Sequence, residues 1–212
     1  MRKDLFMSLR HQPKAALIND FSGFGRCSVT VALPIISQMK VQCCPVLTSV
    51  FSNHTGYPSF YFDDYTEKMP SYIAEWKKLN LHFECIAAGF LGSERQIEIV
   101  KNFIRDFKDE TTKVLIDPVM GDHGRTYQTF TPEMCSQMKQ LAHFADILTP
   151  NLTEACILTD TPYHDGHWQM SELSKLALSL IAMGPSKVVI TGVSMGTFIG
   201  NVICESGGTP SV

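Results

Sequence analysis

A chain of 212 residues with net charge -3, 44% hydrophobic and 18% charged, has the balance of an ordinary globular domain large enough to bury one sizeable core. No basic block favours nucleic acid or an anionic membrane, and no stretch approaches the ~20 apolar residues that span a bilayer. Seven cysteines (Cys27, Cys43, Cys44, Cys85, Cys135, Cys156, Cys204) form no C-x-x-C pair and sit mostly in apolar runs. They read as small buried hydrophobes in a reducing, cytoplasmic setting, not as a disulfide framework or a zinc site.

The start, Met1-Arg2-Lys3-Asp4-Leu5-Phe6-Met7, lacks the apolar core of a signal peptide, so residues 1–13 read as a loose leader and 14–212 as a single domain. A first strand, Ala15-Ala16-Leu17-Ile18-Asn19, runs into a turn, Asp20-Phe21-Ser22-Gly23-Phe24-Gly25. The turn has neither the lysine of a P-loop nor a complete G-x-G-x-x-G, so close approach to a small ligand and a plain tight turn explain it equally well. A helix follows to about Lys40, with Val31, Ile35 and Met39 on one face. A second strand, residues 45–50, leads into Phe51-Ser52-Asn53-His54-Thr55-Gly56 and then an aromatic cluster, Phe60-Tyr61-Phe62. His54 could touch a ligand, although a lone loop histidine is more often merely solvated.

A helix over 66–79 places Met69, Ile73 and Trp76 on one stripe, with Pro70 in its first turn. The third strand, residues 85–90, ends at Leu91-Gly92-Ser93, where Ser93 and Gln96 have capping-box spacing for a helix facing the core with Ile97, Val100, Phe103, Ile104 and Phe107. After the fourth strand, Thr131-Pro132 opens a helix whose Met134, Met138 and Leu141 face inward. A fifth strand (145–149), a short helix (152–158), a loop (160–169), a helix (171–183) and a sixth strand (187–192) follow, then an antiparallel strand over 197–204 and a turn-like end. Alternating strands and helices at this spacing predict right-handed βαβ units in an α/β fold, a three-layer α/β/α sandwich with a mostly parallel central sheet.

The fourth strand carries the chemistry. Val114-Leu115-Ile116-Asp117-Pro118-Val119-Met120-Gly121-Asp122-His123-Gly124 ends an apolar run in one carboxylate and presents another between two glycines. Such strand ends gather at the ligand-binding edge of a parallel sheet, and two carboxylates this close suit a hydrated Mg²⁺ carrying phosphate. The same edge would collect Asp20, residues 52–56, Thr149 to Glu154 and Thr191-Gly192. Glu154 either joins Asp117 and Asp122 at one cation or simply answers a helix dipole. Thr149 and Thr191 offer hydroxyls, which usually satisfy local backbone groups. The absence of Cys/His ligand spacing favours a hard cation.

Four blocks in one order, Phe51-Ser52-Asn53-His54-Thr55, Gly89-Phe90-Leu91-Gly92-Ser93, Asp117-Pro118-Val119-Met120-Gly121-Asp122 and Thr149-Pro150-Asn151-Leu152-Thr153-Glu154-Ala155, resemble the pyridoxal/pyridoxamine kinases of the ribokinase-like superfamily. The segment Asn19-Asp20-Phe21-Ser22-Gly23-Phe24-Gly25-Arg26-Cys27-Ser28 looks like a bacterial branch, and the likeness runs from about residue 15 to about 205. It implies ATP-dependent phosphorylation of the 5′-hydroxymethyl of pyridoxal, pyridoxine or pyridoxamine, with Mg²⁺, a possible monovalent cation and a homodimer in the full-length family. It places Asp117, Thr149, Asn151, Glu154, Thr191 and Gly192 at the nucleotide, and Asp122, Glu154 and Asp117 at the metal. It places Asp20, Thr48, Ser52 and His54 at the vitamin, where Asp20 could pair with a protonated pyridine nitrogen. The related hydroxymethylpyrimidine kinases share the Asp-Pro-Val segment and are the alternative enzyme; a catalytically inactive pyridoxal binder is the non-enzymatic one.

In this family the proton acceptor lies in a Gly-Thr-Gly-Asp signature, whose backbone N–H groups also hold the transferring phosphoryl. The sequence contains no such tetrapeptide; Gly208-Thr209-Pro210 does not substitute. The resemblance therefore puts the family's catalytic Asp beyond Val212 and assigns no catalytic residue within the chain. It implies a chain truncated ahead of that Asp, impaired in transfer, with one sheet face uncovered by the helices that follow the signature.

Overall fold

A computed structural model describes residues 12–127 and 129–212. The elements in chain order are β1 (Lys14–Phe24), α1 (Ser28–Gln38), β2 (Gln42–Asn53), β3 (Phe62–Asp64), α2 (Met69–Lys78), β4 (Cys85–Ala88), α3 (Glu94–Phe107) and β5 (Lys113–Ile116). Then come β6 (Gly121–Asp122), β7 (Arg125–Thr126), α4 (Pro132–Ala142), β8 (Ile147–Leu148), α5 (Leu152–Thr159), α6 (Met170–Ile181), β9 (Lys187–Met195) and β10 (Phe198–Glu205). Eight strands form one sheet in the order β10-β9-β8-β5-β4-β1-β2-β3, and β6 and β7 pair separately. The six central strands are parallel, and β3 and β10 run antiparallel at the two edges. This is the expected α/β/α sandwich. No helix among the described residues is long and apolar enough to cross a membrane.

Crossover direction decides which face each helix covers. The step from β1 through α1 to β2 moves one way along the sheet. The steps through α2, α3, α4 and α5–α6 move the other way, so right-handed connections put α1 on one face and the other five helices on the opposite face. Neighbours in that five-helix layer pack on one another in sequence order. Its face of the sheet is dry: Ile18, Ile86, Val114, Ile116, Leu148, Val188 and Ile190 are each 0% exposed. Phe83, Phe103 and Phe107 stack there with Trp76, ring centroids 4.5 to 6.3 Å apart.

The opposite face differs. Cys85, Ala87, Leu115, Ile147 and Val189 alternate with the buried set yet are only half-buried, and Ile203, paired with Val189, is exposed. Among the described residues α1 is the sole helix on that side, and it packs on β1 and β2. Its own stripe stays in solvent: Val31, Ile35 and Met39 are 38%, 55% and 70% exposed, and Val29 is its one buried residue. A helix apolar on nearly all sides belongs in a closed layer. The predicted face exists, but what it would pack against does not lie among the described residues.

Several boundaries shift. β1 does not stop at Asn19; the glycine-containing segment to Phe24 pairs with β2 as strand, and the turn comes at Gly25 (φ +119). β2 likewise runs on through Asn53, and the aromatic cluster supplies an unforeseen edge strand, β3. Thr191-Gly192 does not close β9, which continues to Met195 because Gly192 adopts φ +71 and β10 pairs past it. Ser93 caps α3 as expected, but Gln96 turns away from the capping box, accepting from the Gly92 N–H at 2.8 Å and donating to the Thr48 carbonyl at 2.8 Å.

The turn-like end is more ordered than its composition suggests. Ser211 bridges to Ile203 on β10, its N–H donating to the Ile203 carbonyl at 2.9 Å. All seven cysteines are free; Cys156 and Cys204 are buried and the other five half-buried, so the expectation of general burial holds for two. Residues 1–11 of the expected leader lie outside the described residues, while Pro13 is already pinned, its carbonyl accepting from Gln42 N at 2.8 Å.

Candidate functional site

The loop after β5 is built by the first turn of α5. Asn151 Nδ2 donates to the Gly121 carbonyl at 2.8 Å, Gly124 N to Thr153 Oγ1 at 2.9 Å, and Met120 N to Glu154 Oε1 at 3.1 Å. The same turn closes a reciprocal cap: Glu154 N donates to Asn151 Oδ1 at 2.9 Å, and Asn151 N to Glu154 Oε2 at 2.8 Å. The segment expected as a plain loop is a tight hairpin. His123 (φ 49) and Gly124 (φ 73) form the primed type of turn that joins β6 to β7, and a Cβ at Gly121 would stand 2.2 Å from the Arg125 carbonyl.

Three carboxylates border this hairpin in three states. The Asp117 carboxyl is half-buried, accepts no hydrogen bond from the described residues, and burial alone pushes its pKa up to about 6. Glu154, 3% exposed, is raised to about 8 by burial, opposed by the backbone N–H donors of Asn151, Met120 and Gly121 and reinforced by the charge of Asp117. Asp122 is open to solvent and accepts from the His123 N–H at 2.8 Å. The phenol of Tyr127 is raised first by burial, then by Asp122, Glu154 and Asp117. Sequence reasoning missed Tyr127; its place just past a Gly-Asp-His-Gly turn was the available signal.

The expected three-carboxylate cage is not preformed: among the described residues no three His, Cys, Asp or Glu side chains are placed to hold a metal ion. Both Glu154 oxygens are occupied by backbone donors, which reconciles its two readings: it is a helix cap that also borders the acidic edge. The donor set still fits a hard, partly hydrated cation, because Asp117 is a half-buried carboxyl with no cationic partner among the described residues and all ligating atoms are oxygen. Asp117, Asp122 and Glu154 would be the residues to hold such an ion, which would neutralise phosphate charge there.

The hydroxyls and glycine of the nucleotide set are mostly engaged locally. Thr149 Oγ1 donates to the Ile116 carbonyl at 3.4 Å and Thr191 Oγ1 to the Pro150 carbonyl at 3.4 Å, while Gly192 N donates to Asn201 Oδ1 at 3.3 Å. An isolated bridge joins Asn151 to Thr191, so these residues do lie along one edge. Val212, the position beyond which the resemblance sets the catalytic Asp, is itself no part of this edge. It is 58% exposed, and its side chain lies beside Gly200 on β10, the outermost strand, where a Cβ added to the glycine would meet it at 3.0 Å. Its apolar side chain can neither ligate a metal nor take a proton.

The second group lies along the C-terminal halves of β1 and β2 and the loop after β2. Asp20 (5% exposed) receives the Ser22 hydroxyl at 3.0 Å. The Thr48 hydroxyl is spent on the Phe90 carbonyl at 3.0 Å, tying β2 to the end of β4, so it offers a ligand only lone pairs. Ser52 and His54 hold the loop: Ser52 Oγ donates to Asn53 Oδ1 at 2.6 Å and accepts from Tyr61 N at 2.8 Å, and His54 Nδ1 accepts from Gly56 N at 3.0 Å. Phe51 stands between Phe60, Phe62 and Phe90, centroids 5.8, 4.9 and 6.1 Å away.

Replacing Asn151 by alanine should cost about 1–2 kcal/mol, a typical cap loss, and release the hairpin. Hydrogen exchange at Gly121 and Asp122 should quicken more than in the core of α3; uniform quickening would mean that the tie carries nothing.

A mostly parallel α/β/α sheet whose β5 and α5 bring carboxylates to one edge is the arrangement of the ribokinase-like class. The phosphomethylpyrimidine kinase family model matches residues 33–210, and the chain belongs to that family, on its pyridoxal kinase-like side. The pyridoxal kinase of Arabidopsis thaliana is 30% identical over 159 residues, 72% of this chain and 49% of the relative. The chain thus spans about half the length of the curated pyridoxal kinases it matches first. A putative phosphomethylpyrimidine kinase from Bacteroides thetaiotaomicron superposes with TM-score 0.90 at 44% identity, covering 96% of this chain and 70% of that one, and was also solved with pyridoxal. Pyridoxal kinase from Lactobacillus plantarum gives TM-score 0.85 at 28% identity, over 95% of this chain and 71% of its own.

Proposed function

We propose that this chain carries the acceptor and magnesium-nucleotide sites for ATP-dependent phosphorylation of the 5′-hydroxymethyl of pyridoxal, pyridoxine or pyridoxamine, in the cytoplasm. The observation that carries the reading is the half-buried Asp117 carboxyl, without a hydrogen-bond partner among the described residues and held beside Glu154, Asp122 and Tyr127 by the α5 cap. The pyridoxal-bound Bacteroides thetaiotaomicron relative, 44% identical, supports the vitamin as acceptor. Asp117, Asp122 and Glu154 bind and orient the magnesium-bound phosphates; Asp20 and the phenylalanines around Phe51 hold the aromatic acceptor. By the resemblance, the transfer base belongs to a tetrapeptide that the sequence through Val212 does not contain.

Incubation with Mg-ATP and pyridoxal tests this. The expected result is saturable pyridoxal binding, with ADP formed only when Mg²⁺ and the acceptor are both present. Absence of pyridoxal binding would overturn the vitamin assignment. Hydroxymethylpyrimidine is the second candidate acceptor, favoured by the family match itself; preferential binding of the pyrimidine would select it.

A further inference from the structure

The register between β1 and β2 breaks at one point. Asn19 pairs with Leu47 but Phe21 pairs with Val50, so Thr48 and Ser49 together stand opposite Asp20. Two residues against one is a β-bulge, a device that re-aims side chains at the end of a strand. Beyond it Ser22 pairs with Phe51, and on the other side of β2 Ser49 pairs with Asp64 and Phe51 with Phe62. Paired residues share a face and side chains alternate along a strand. The bulge therefore collects Asp20, Ser22, Ser49 and Phe51 on one face, the face on which the aromatic group sits.

Every one of these polar side chains but one is accounted for. Ser22 donates to Asp20 at 3.0 Å, Thr48 to the Phe90 carbonyl at 3.0 Å, and Asp64 accepts from Thr66 and Gln96. Ser49 is 1% exposed, and among the described residues its hydroxyl is the one buried side-chain polar atom with no partner. Leaving a buried hydroxyl unpaired is costly, and folded proteins rarely do it without a use for the group. A serine contributes nothing to packing here that alanine would not.

We infer that the Ser49 hydroxyl is reserved for the acceptor: it hydrogen-bonds a polar ring atom of a flat heteroaromatic alcohol seated between the Asp20–Ser22 pair and the phenylalanines around Phe51. Ser49 is thus a specificity-determining residue placed by the bulge. The inference rests on the reading of this pocket as the acceptor site.

The Ser49→Ala variant tests it, through melting temperature without ligand and through calorimetric titration with pyridoxal and, separately, with 4-amino-5-hydroxymethyl-2-methylpyrimidine. Removing an unpaired hydroxyl should leave the melting temperature unchanged or raise it. The affinity for whichever acceptor the parent chain binds should fall about 3- to 10-fold, the worth of one neutral hydrogen bond. Unaltered affinity would overturn the inference alone, showing that the hydroxyl holds a water or nothing. A lowered melting temperature with lowered affinity would also overturn it, by making the hydroxyl structural. A parent chain that binds neither acceptor would overturn the reading of the pocket together with the inference built on it.

Discussion

Without a divalent cation, the chain should melt at progressively lower temperature as pH rises from about 4 to about 8. The sign follows from the buried Glu154 and the half-buried Asp117. In the folded chain Asp117 holds its proton up to about 6 and Glu154 up to about 8, against 3.8 and 4.5 for the free groups. The folded state therefore binds protons more tightly than the unfolded one. The stabilisation is complete below the unfolded values and is lost as pH rises through the folded ones. At about 1.4 kcal/mol per pH unit, the Asp117 shift of roughly two units is worth about 3 kcal/mol. For a chain of this size that is about 6–12 °C in melting temperature. Asp117→Asn removes this share, so at pH ~8 the variant should melt above the parent, while near pH ~4 the two should coincide. Mg²⁺ should raise the melting temperature of the parent at the alkaline end and leave the variant nearly unmoved. A flat profile for the parent would mean that burial does not raise the Asp117 pKa.

The second large effect contrasts two adjacent residues. Ile116→Ala, on the face under the five-helix layer, should cost about 2–5 kcal/mol, because Ile116 is 0% exposed and its cavity cannot collapse against rigid neighbours. Leu115→Ala, one residue earlier, should cost under about 1 kcal/mol, because its side chain faces the half-buried side where no described helix covers β5. Leu115→Lys should also improve solubility by interrupting an apolar stripe. Urea midpoints at constant slope would measure both losses. Equal losses would mean that both faces of the sheet are covered in solution.

Fold class, the alternation of strands and helices and the core face of α3 were legible because long apolar runs and amphipathic helices report burial directly: Ile97, Val100, Phe103 and Ile104 are all at most 2% exposed. Less legible was whatever depends on pairing across the sheet. Gly23 and Phe24 look like a turn until β2 lies beside them, and the three-residue β3 has no periodicity to detect. The acidic edge was visible as strand-end carboxylates, but their unequal states were not. Glu154 spends its oxygens on backbone N–H groups and Asp117 does not, a distinction set by the geometry of α5 against the hairpin. Thr48, Ser52 and His54 were picked as ligand contacts from the resemblance; in the structure their polar atoms serve the loop first. Ser49, beside them, escaped because nothing in a sequence marks a hydroxyl that will find no partner.

Calorimetric titration of ATP into the chain at pH ~8, with Mg²⁺ and again with excess chelator, tests most directly whether the acidic edge around Asp117 seats a magnesium-nucleotide. Binding is expected only with Mg²⁺, with affinity at least about 10-fold weaker in Asp117→Asn, the equivalent of about 1.4 kcal/mol. Equal ATP affinity with and without the metal, and in parent and variant alike, would contradict it.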